Sequence, residues 1–244
     1  MSTIDPAQAE LFSGMAAEWW DRKGSSALLH KVNPVRMQFI RREVAAHFGR
    51  DTMVPGWLDG MSCLDVGCGG GILTECLARL GGHVTGIDAA EASIDVAIVH
   101  GAGQGLDIDY RLAATDVLVN EGASFDIVTC MEVVEHVSDV PMFLASLTAL
   151  LKPGGLLVFS TPNRTAMSYG VMIVGAEWIL RTLPRGTHDW DRFLTPEEMR
   201  RALNRAGLEL GHVEGIALDP ARGFALSDDM RVNYIGAATR RNED

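Results

Sequence analysis

The chain has 244 residues, is 47% hydrophobic and carries a formal net charge of −11. That is enough material for one cored domain with additions. The acidic balance excludes a broad basic surface, so no nucleic-acid partner is expected and only a local basic patch stays open. Residues 1–15 lack a basic stretch followed by a long apolar run, so no secretory signal is expected. A helix is predicted over 7–20, with Leu11, Phe12, Met15, Trp19 and Trp20 on a partly apolar face. Asn33-Pro34 is predicted to break the chain before a second helix over 36–48, with Met37, Ile40, Val44 and Phe48 at helical spacing. Residues 1–50 therefore read as a helical extension and 51–244 as the main domain.

From there, apolar runs alternate with helical stretches. Strands are predicted at Ser62–Val66, 83–87, Ile108–Leu112, 126–130 and 156–160, separated by helices near 72–80, 91–102 and 139–151. Such alternation argues an α/β fold, a parallel sheet with helices on both faces. Lys152-Pro153-Gly154-Gly155 reads as a turn into the fifth strand. Residues 164–194 break the rhythm as an insertion, whose charge-free stretch 165–176 is far shorter than the roughly 20 residues that span a bilayer. Thr195 with Glu198 three residues on predicts a capped helix over 196–206. Strands over 208–218 and 232–238, joined by a loop rich in Asp, Pro and Gly, complete seven. Cys63, Cys68, Cys76 and Cys130 form no C-x-x-C pair and read as small core residues of a reducing compartment.

The run Leu64-Asp65-Val66-Gly67-Cys68-Gly69-Gly70-Gly71 is a strand stopping on glycines, and Asp88 closes the next strand 21 positions after Gly67. An acid about 20 residues on accepts hydrogen bonds from ribose hydroxyls. A dinucleotide site wants G-x-G-x-x-G, but Ile72 stands where the third glycine belongs, and no G-K-[ST] follows to make a P-loop. The pattern resembles the first motif of class I S-adenosylmethionine-dependent methyltransferases. Ligands of open α/β sheets sit beyond the strand C-termini, which brings Gly67, Gly69, Asp88 and Met131 to one edge. Asp116, after the third strand, reads equally as an acceptor for the adenine amino group or as a turn aspartate. Met131 reads as a thioether packed on the cofactor or as core. Glu132, Glu135 and His136, spaced i, i+3 and i+4, would share one face of a helical turn. Two carboxylates and an imidazole suit a divalent cation with open positions for substrate oxygens; the alternative is that Glu135 and His136 only cap a helix.

Further motifs narrow the resemblance: Ala17-Glu18-Trp19-Trp20-Asp21, His30-Lys31-Val32-Asn33-Pro34-Val35-Arg36, Ser160-Thr161-Pro162-Asn163-Arg164, Gly186-Thr187-His188-Asp189-Trp190 and Val232-Asn233-Tyr234. Over roughly residues 10–240 the chain resembles the ubiquinone biosynthesis O-methyltransferases. The resemblance implies a Rossmann-like sheet with an antiparallel last strand, and cofactor contacts at Arg36, Gly67, Asp88 and Met131. A guanidinium can grip the cofactor carboxylate bidentately, whereas Arg36 without such a role is a surface helix arginine. The resemblance also implies a divalent metal such as Mg²⁺ held by Glu132, Glu135 and His136, which would then be the catalytic group. The acceptors it implies are a 2-polyprenyl-6-hydroxyphenol and 3-demethylubiquinol. In the insertion, apolar residues such as Met167, Tyr169, Val171 and Ile179, flanked by Arg164, Arg181 and Arg185, suit an anionic membrane surface or a lid over the acceptor; the two can coexist. A cytoplasmic protein held at the inner face of the cell membrane, in assembly with other enzymes of the same route, is the expected setting. Two further readings stay open: a methyltransferase with a different small acceptor, and a cofactor-binding regulator that kept the fold.

Overall fold

In the computed structural model, the described residues are 3–5, 10, 13–14, 16–24, 26–179, 189–219, 221 and 223–240. The predicted contributions of Leu11, Phe12, Met15, Arg181, Arg185 and Gly186-Thr187-His188 lie outside them. Five strands run parallel: β1 (Ser62–Val66), β2 (His83–Asp88), β3 (Ile108–Leu112), β4 (Phe125–Met131) and β5 (Leu151–Pro162). Three more follow as β6 (Leu208–Asp219), β7 (Gly223–Ser227) and β8 (Asn233–Arg240). The sheet order is β3-β2-β1-β4-β5-β8-β6-β7, with β8 antiparallel to both β5 and β6.

The sheet thus has eight strands where seven were predicted. The extra one, β7, lies in the stretch read as a loop and pairs with β6 as a hairpin, Gly215↔Ser227 to Asp219↔Gly223. Its residues pack on one face only and carry too short an alternation to stand out. Lys152 to Gly155 does not precede β5 as a turn; it is a bulge inside it, where the register with β4 jumps between Phe125↔Leu151 and Ile127↔Leu156. A Cβ on Gly155 would lie 2.9 Å from the Lys152 carbonyl, so only glycine fits that fold of the strand.

The helices are α1 (Ala27–Phe48), α2 (Ile72–Arg79), α3 (Glu91–Gly103), α4 (Thr115–Asn120), α5 (Val140–Leu150) and α6 (Pro196–Arg205). The predicted break at Asn33-Pro34 is corrected: α1 runs through Pro34 without interruption. An interior proline costs about 3 kcal/mol, chiefly the lost hydrogen bond to the carbonyl four residues back. Burial of Phe39, Ile40 and Val44, each 0% exposed, stabilises by about 1.5–3 kcal/mol per side chain and outweighs it. Asn33, itself buried, ties the turn down by donating from Nδ2 to the Ile72 carbonyl at 3.3 Å. The predicted cap of α6 is present in both directions: Glu198 N–H donates to Thr195 Oγ1 at 3.3 Å, and Thr195 N–H to Glu198 Oε2 at 2.9 Å. The inserted segment forms Ala166–Ser168 and a π-type helix over Tyr169–Ile179.

Alternate residues of the central strands point to opposite faces. Leu157 and Phe159 join Phe143, Leu147, Met199 and Leu203 of α5 and α6, while Leu156 and Val158 join Phe39, Ile40, Leu73 and Leu77 of α1 and α2. The four cysteines are free, and Cys63, Cys68 and Cys130 are buried in this core.

Candidate active site

Strand order reverses between β1 and β4, and a crevice opens at such a switch point beyond the strand C-termini. There the Gly67 and Cys68 amides donate to the Ile87 carbonyl at 2.8 and 3.0 Å, stitching the glycine loop to β2. Asp88 stitches it again. Its Oδ2 accepts from Gly69 N–H at 2.9 Å and its Oδ1 from Ala90 N–H at 2.8 Å. Burial pushes the Asp88 carboxyl above the usual range, against the pull of those amides. A carboxylate has about four acceptor positions, so two remain for a ligand's hydroxyls.

The glycines serve a purpose the spacing did not show. A Cβ on Gly69 would lie 2.4 Å from the Trp19 indole, and one on Gly70 2.5 Å from the same side chain. The N-terminal segment therefore lies across the loop. Trp19 Nε1 donates to Ser93 Oγ at 3.1 Å, and Trp20 Nε1 to the Gly70 carbonyl at 2.9 Å. The Trp20 ring stacks on His100 with centroids 3.4 Å apart and planes 7° from parallel. In the sequence, Trp19-Trp20 reads as an apolar helix face and as part of a motif, with no contact assigned to it; here both residues sit in a turn after the short 3₁₀ segment Ala16–Glu18. Gly69→Ala is expected to destabilise by about 1–3 kcal/mol, because φ is +52° and the indole must move. Thermal melts check it, and an unchanged melting temperature would remove the indole from the loop.

Arg36 reaches the crevice from α1. It is 7% exposed, its guanidinium lies 3.5 Å from Glu132 Oε1, and its Nε is buried without a partner. An orphaned guanidinium donor fits the carboxylate of an amino-acid-bearing cofactor. Met131 ends β4 at 8% exposure and packs in the core with Val35 and Leu73. Asp116 lies in the first turn of α4. Asp65, beneath the loop, takes hydrogen bonds from Thr74 and Thr129 hydroxyls, both at 2.7 Å. It ties β1 to α2 and to β4 beneath the glycine loop.

The expectation that Glu132, Glu135 and His136 share one helical face is corrected. Glu132 precedes the 3₁₀ turn Val134–His136 and stands at φ 57°, the one non-glycine at positive φ among the described residues. That conformation costs about 1–2 kcal/mol, and Glu132 stands outside the turn that carries Glu135 and His136. Its Oε1 accepts from Ser160 Oγ at 2.5 Å, and Asn233 Nδ2 donates to Oε1 and Oε2 at 3.0 and 2.9 Å. Glu135 points inward at 3% exposure and accepts from Thr161 Oγ1 at 2.9 Å. Burial, then the neighbouring Glu132 charge, pushes its carboxyl well above the usual range and favours the protonated form. His136 Nε2 lies 3.9 Å from Glu135 Oε1. Among the described residues no three of His, Cys, Asp and Glu are gathered to hold a metal ion. Glu132 is held by Ser160, Asn233 and Arg36 rather than turned toward a shared ligand point with Glu135 and His136, so the described side chains give no gathered ligand set for the expected Mg²⁺.

A family model described as a methyltransferase domain matches residues 37–213. The chain is 48% identical over 240 residues to the ubiquinone biosynthesis O-methyltransferase of Brucella melitensis, covering 98% of this chain and 97% of that one. It is 47% identical over 242 residues to the protein of the same name from Cereibacter sphaeroides, covering 98% of each. Among solved structures it is similar to magnesium protoporphyrin IX methyltransferase from Synechocystis PCC 6803 with bound SAM. That likeness has a TM-score of 0.63 at 16% identity and covers 96% of both chains, a likeness of fold.

Proposed function

We infer the chemistry from this premise: the chain belongs to the ubiquinone biosynthesis O-methyltransferase family and is an S-adenosylmethionine-dependent O-methyltransferase. The acceptor we propose is a polyprenyl phenol with adjacent ring oxygens, either a 2-polyprenyl-6-hydroxyphenol or 3-demethylubiquinol. Near-full-length identity to relatives of that name carries this reading. When bound, the cofactor supplies a methyl carbon on a sulfonium, so that carbon bonds to the phenol oxygen as its bond to sulfur breaks and the electron pair stays on sulfur.

The chain's own residues bind and orient. Asp88 offers its two remaining acceptor positions to the ribose hydroxyls. Arg36 Nε takes the cofactor carboxylate, and the Trp19-Trp20 segment covers the glycine loop from the N-terminal side. Glu132 stands between the β4 and β5 ends with its side chain 20% exposed, whereas Glu135 is buried. That greater exposure supports Glu132 as the carboxylate that receives the phenol proton as the new C–O bond forms. A phenol of pKa about 10 is largely protonated at neutral pH and needs such an acceptor. Purified protein, labelled S-adenosylmethionine and a short-chain demethylubiquinol are expected to give labelled methyl ether. Binding of the cofactor without transfer to this quinol would overturn the acceptor assignment.

A peripheral contact with an anionic membrane is also proposed. Among the described residues no helix is long and apolar enough to cross a membrane. The inserted segment exposes Met167, Tyr169, Val171 and Val174, a surface suited to lying in the interface. Arg164 beside it pairs with Glu198 at the start of α6 and stays partly exposed. Val171→Asp is expected to weaken binding to phosphatidylglycerol vesicles about tenfold, by loss of apolar burial and by charge repulsion. Unchanged co-sedimentation would remove the insertion from the membrane contact.

A further inference from the structure

Strand β8 joins the sheet antiparallel beside β5, with β4 and β5 between it and β1, yet its first residue reaches the site. In register, Asn233 pairs with Pro162 and Ile235 with Ser160, while Ser160 pairs in turn with Met131 at the end of β4. This places the Asn233 amide across β5 from Glu132, where Nδ2 bridges both carboxylate oxygens at 3.0 and 2.9 Å. The opposite amide orientation would set Oδ1 against two carboxylate oxygens, so charge fixes which end donates.

The occupancy of the two oxygens is unequal. Oε1 carries the Ser160 hydroxyl at 2.5 Å, the Asn233 amide at 3.0 Å and the Arg36 guanidinium at 3.5 Å. Oε2 carries only the amide, at 2.9 Å. Of roughly four acceptor positions on a carboxylate, the open one is thus on Oε2. Asn233 Oδ1 is itself buried without a partner, a second acceptor lacking a donor beside the first. A ligand that completes this corner must bring O–H donors, and a ring with hydroxyl groups does so. The positive φ of Glu132 fits the same picture: such a backbone persists where surrounding contacts over-determine it, and it recurs at functional sites.

We propose that Asn233 is a positioning residue for the acceptor: together with Ser160 it fixes Glu132 so that Oε2 receives the acceptor hydroxyl. The inference rests on the phenolic acceptor proposed above. It makes the antiparallel strand part of the acceptor side of the site, separate from the loop that holds the cofactor.

The test compares wild type with Asn233→Ala, Asn233→Asp and Ser160→Ala, using short-chain demethylubiquinol for turnover and calorimetry for S-adenosylmethionine binding. For Asn233→Ala, kcat/KM for the quinol is expected to fall about 10- to 100-fold, the worth of hydrogen bonds to a charged group, with cofactor Kd within about twofold. Asn233→Asp is expected to fall further, because it sets a second negative charge against Glu132. The Asn233→Ala/Ser160→Ala double variant is expected to lose less than the product of the single losses, since both act through one carboxylate. A kcat/KM within twofold of wild type for Asn233→Ala, or an equal loss of cofactor affinity, would overturn the proposal. If Asn233→Ala fails to fold by circular dichroism, Asn233→Ser carries the same comparison. A wild-type protein that binds cofactor but leaves the quinol unmethylated refutes the acceptor reading itself, and this inference with it; wild-type turnover with an indifferent Asn233 refutes the inference alone.

Discussion

Asp88→Ala is expected to weaken S-adenosylmethionine binding by about 100-fold or more, measured by calorimetry. The size follows from the hydrogen-bond inventory. Two of the carboxylate's acceptor positions hold the Gly69 and Ala90 amides at 2.9 and 2.8 Å, and two are left for ribose hydroxyls. Hydrogen bonds to a charged group contribute about 1.5–3 kcal/mol each, so losing two removes two or more orders of magnitude in affinity. The substitution also frees the Gly69 amide and loosens the loop on which Trp19 rests. Asp88→Asn separates the two effects. It keeps the shape but has one acceptor oxygen, so it cannot hold both amides and both hydroxyls, and an intermediate loss is expected. Wild-type affinity in Asp88→Ala would remove the cofactor from this crevice altogether.

Much of this site was legible because its signals are local. The glycine run, the acid 21 positions on and the strand ends all follow from short-range pattern, and the structure brings Gly67, Gly69 and Asp88 together as the spacing predicts. What escaped depends on contacts far apart in the chain. Trp19 meets Gly69 and Gly70 across some fifty residues, and Asn233 meets Glu132 with a sequence separation of 101. No periodicity encodes either. The Pro34 break failed for the same reason: local preference argued against a helix, and the tertiary burial of Phe39, Ile40 and Val44 decided for one. The acid–imidazole face failed because helical spacing was assumed through Glu132, whereas the strand ends there with a left-handed residue.

Asp65→Asn is expected to make the protein's stability less sensitive to pH, in a direction fixed by burial. Asp65 is 2% exposed, and burial pushes its carboxyl up to about 6 despite the hydroxyls of Thr74 and Thr129 and the charge of Arg36. In the unfolded chain an aspartate titrates near 3.9. The folded state therefore binds the proton more tightly. That contribution is fully present below about pH 4 and is lost as pH rises through about 6, a change of about 3 kcal/mol for two pKa units. Asparagine imitates the protonated acid at every pH. Its amide nitrogen can be met if one threonine hydroxyl turns to accept, and Thr129 Oγ1 has the Leu64 carbonyl 3.3 Å away to take its proton instead. Urea unfolding of both chains is thus expected to give similar stability near pH 4 and an advantage of about 2–3 kcal/mol to Asp65→Asn near pH 7.5. Taking the difference between the two chains cancels the other titrating groups. A difference that does not change with pH would mean that Asp65 titrates in the folded protein as it does in the unfolded chain, with the hydroxyls and Arg36 cancelling burial.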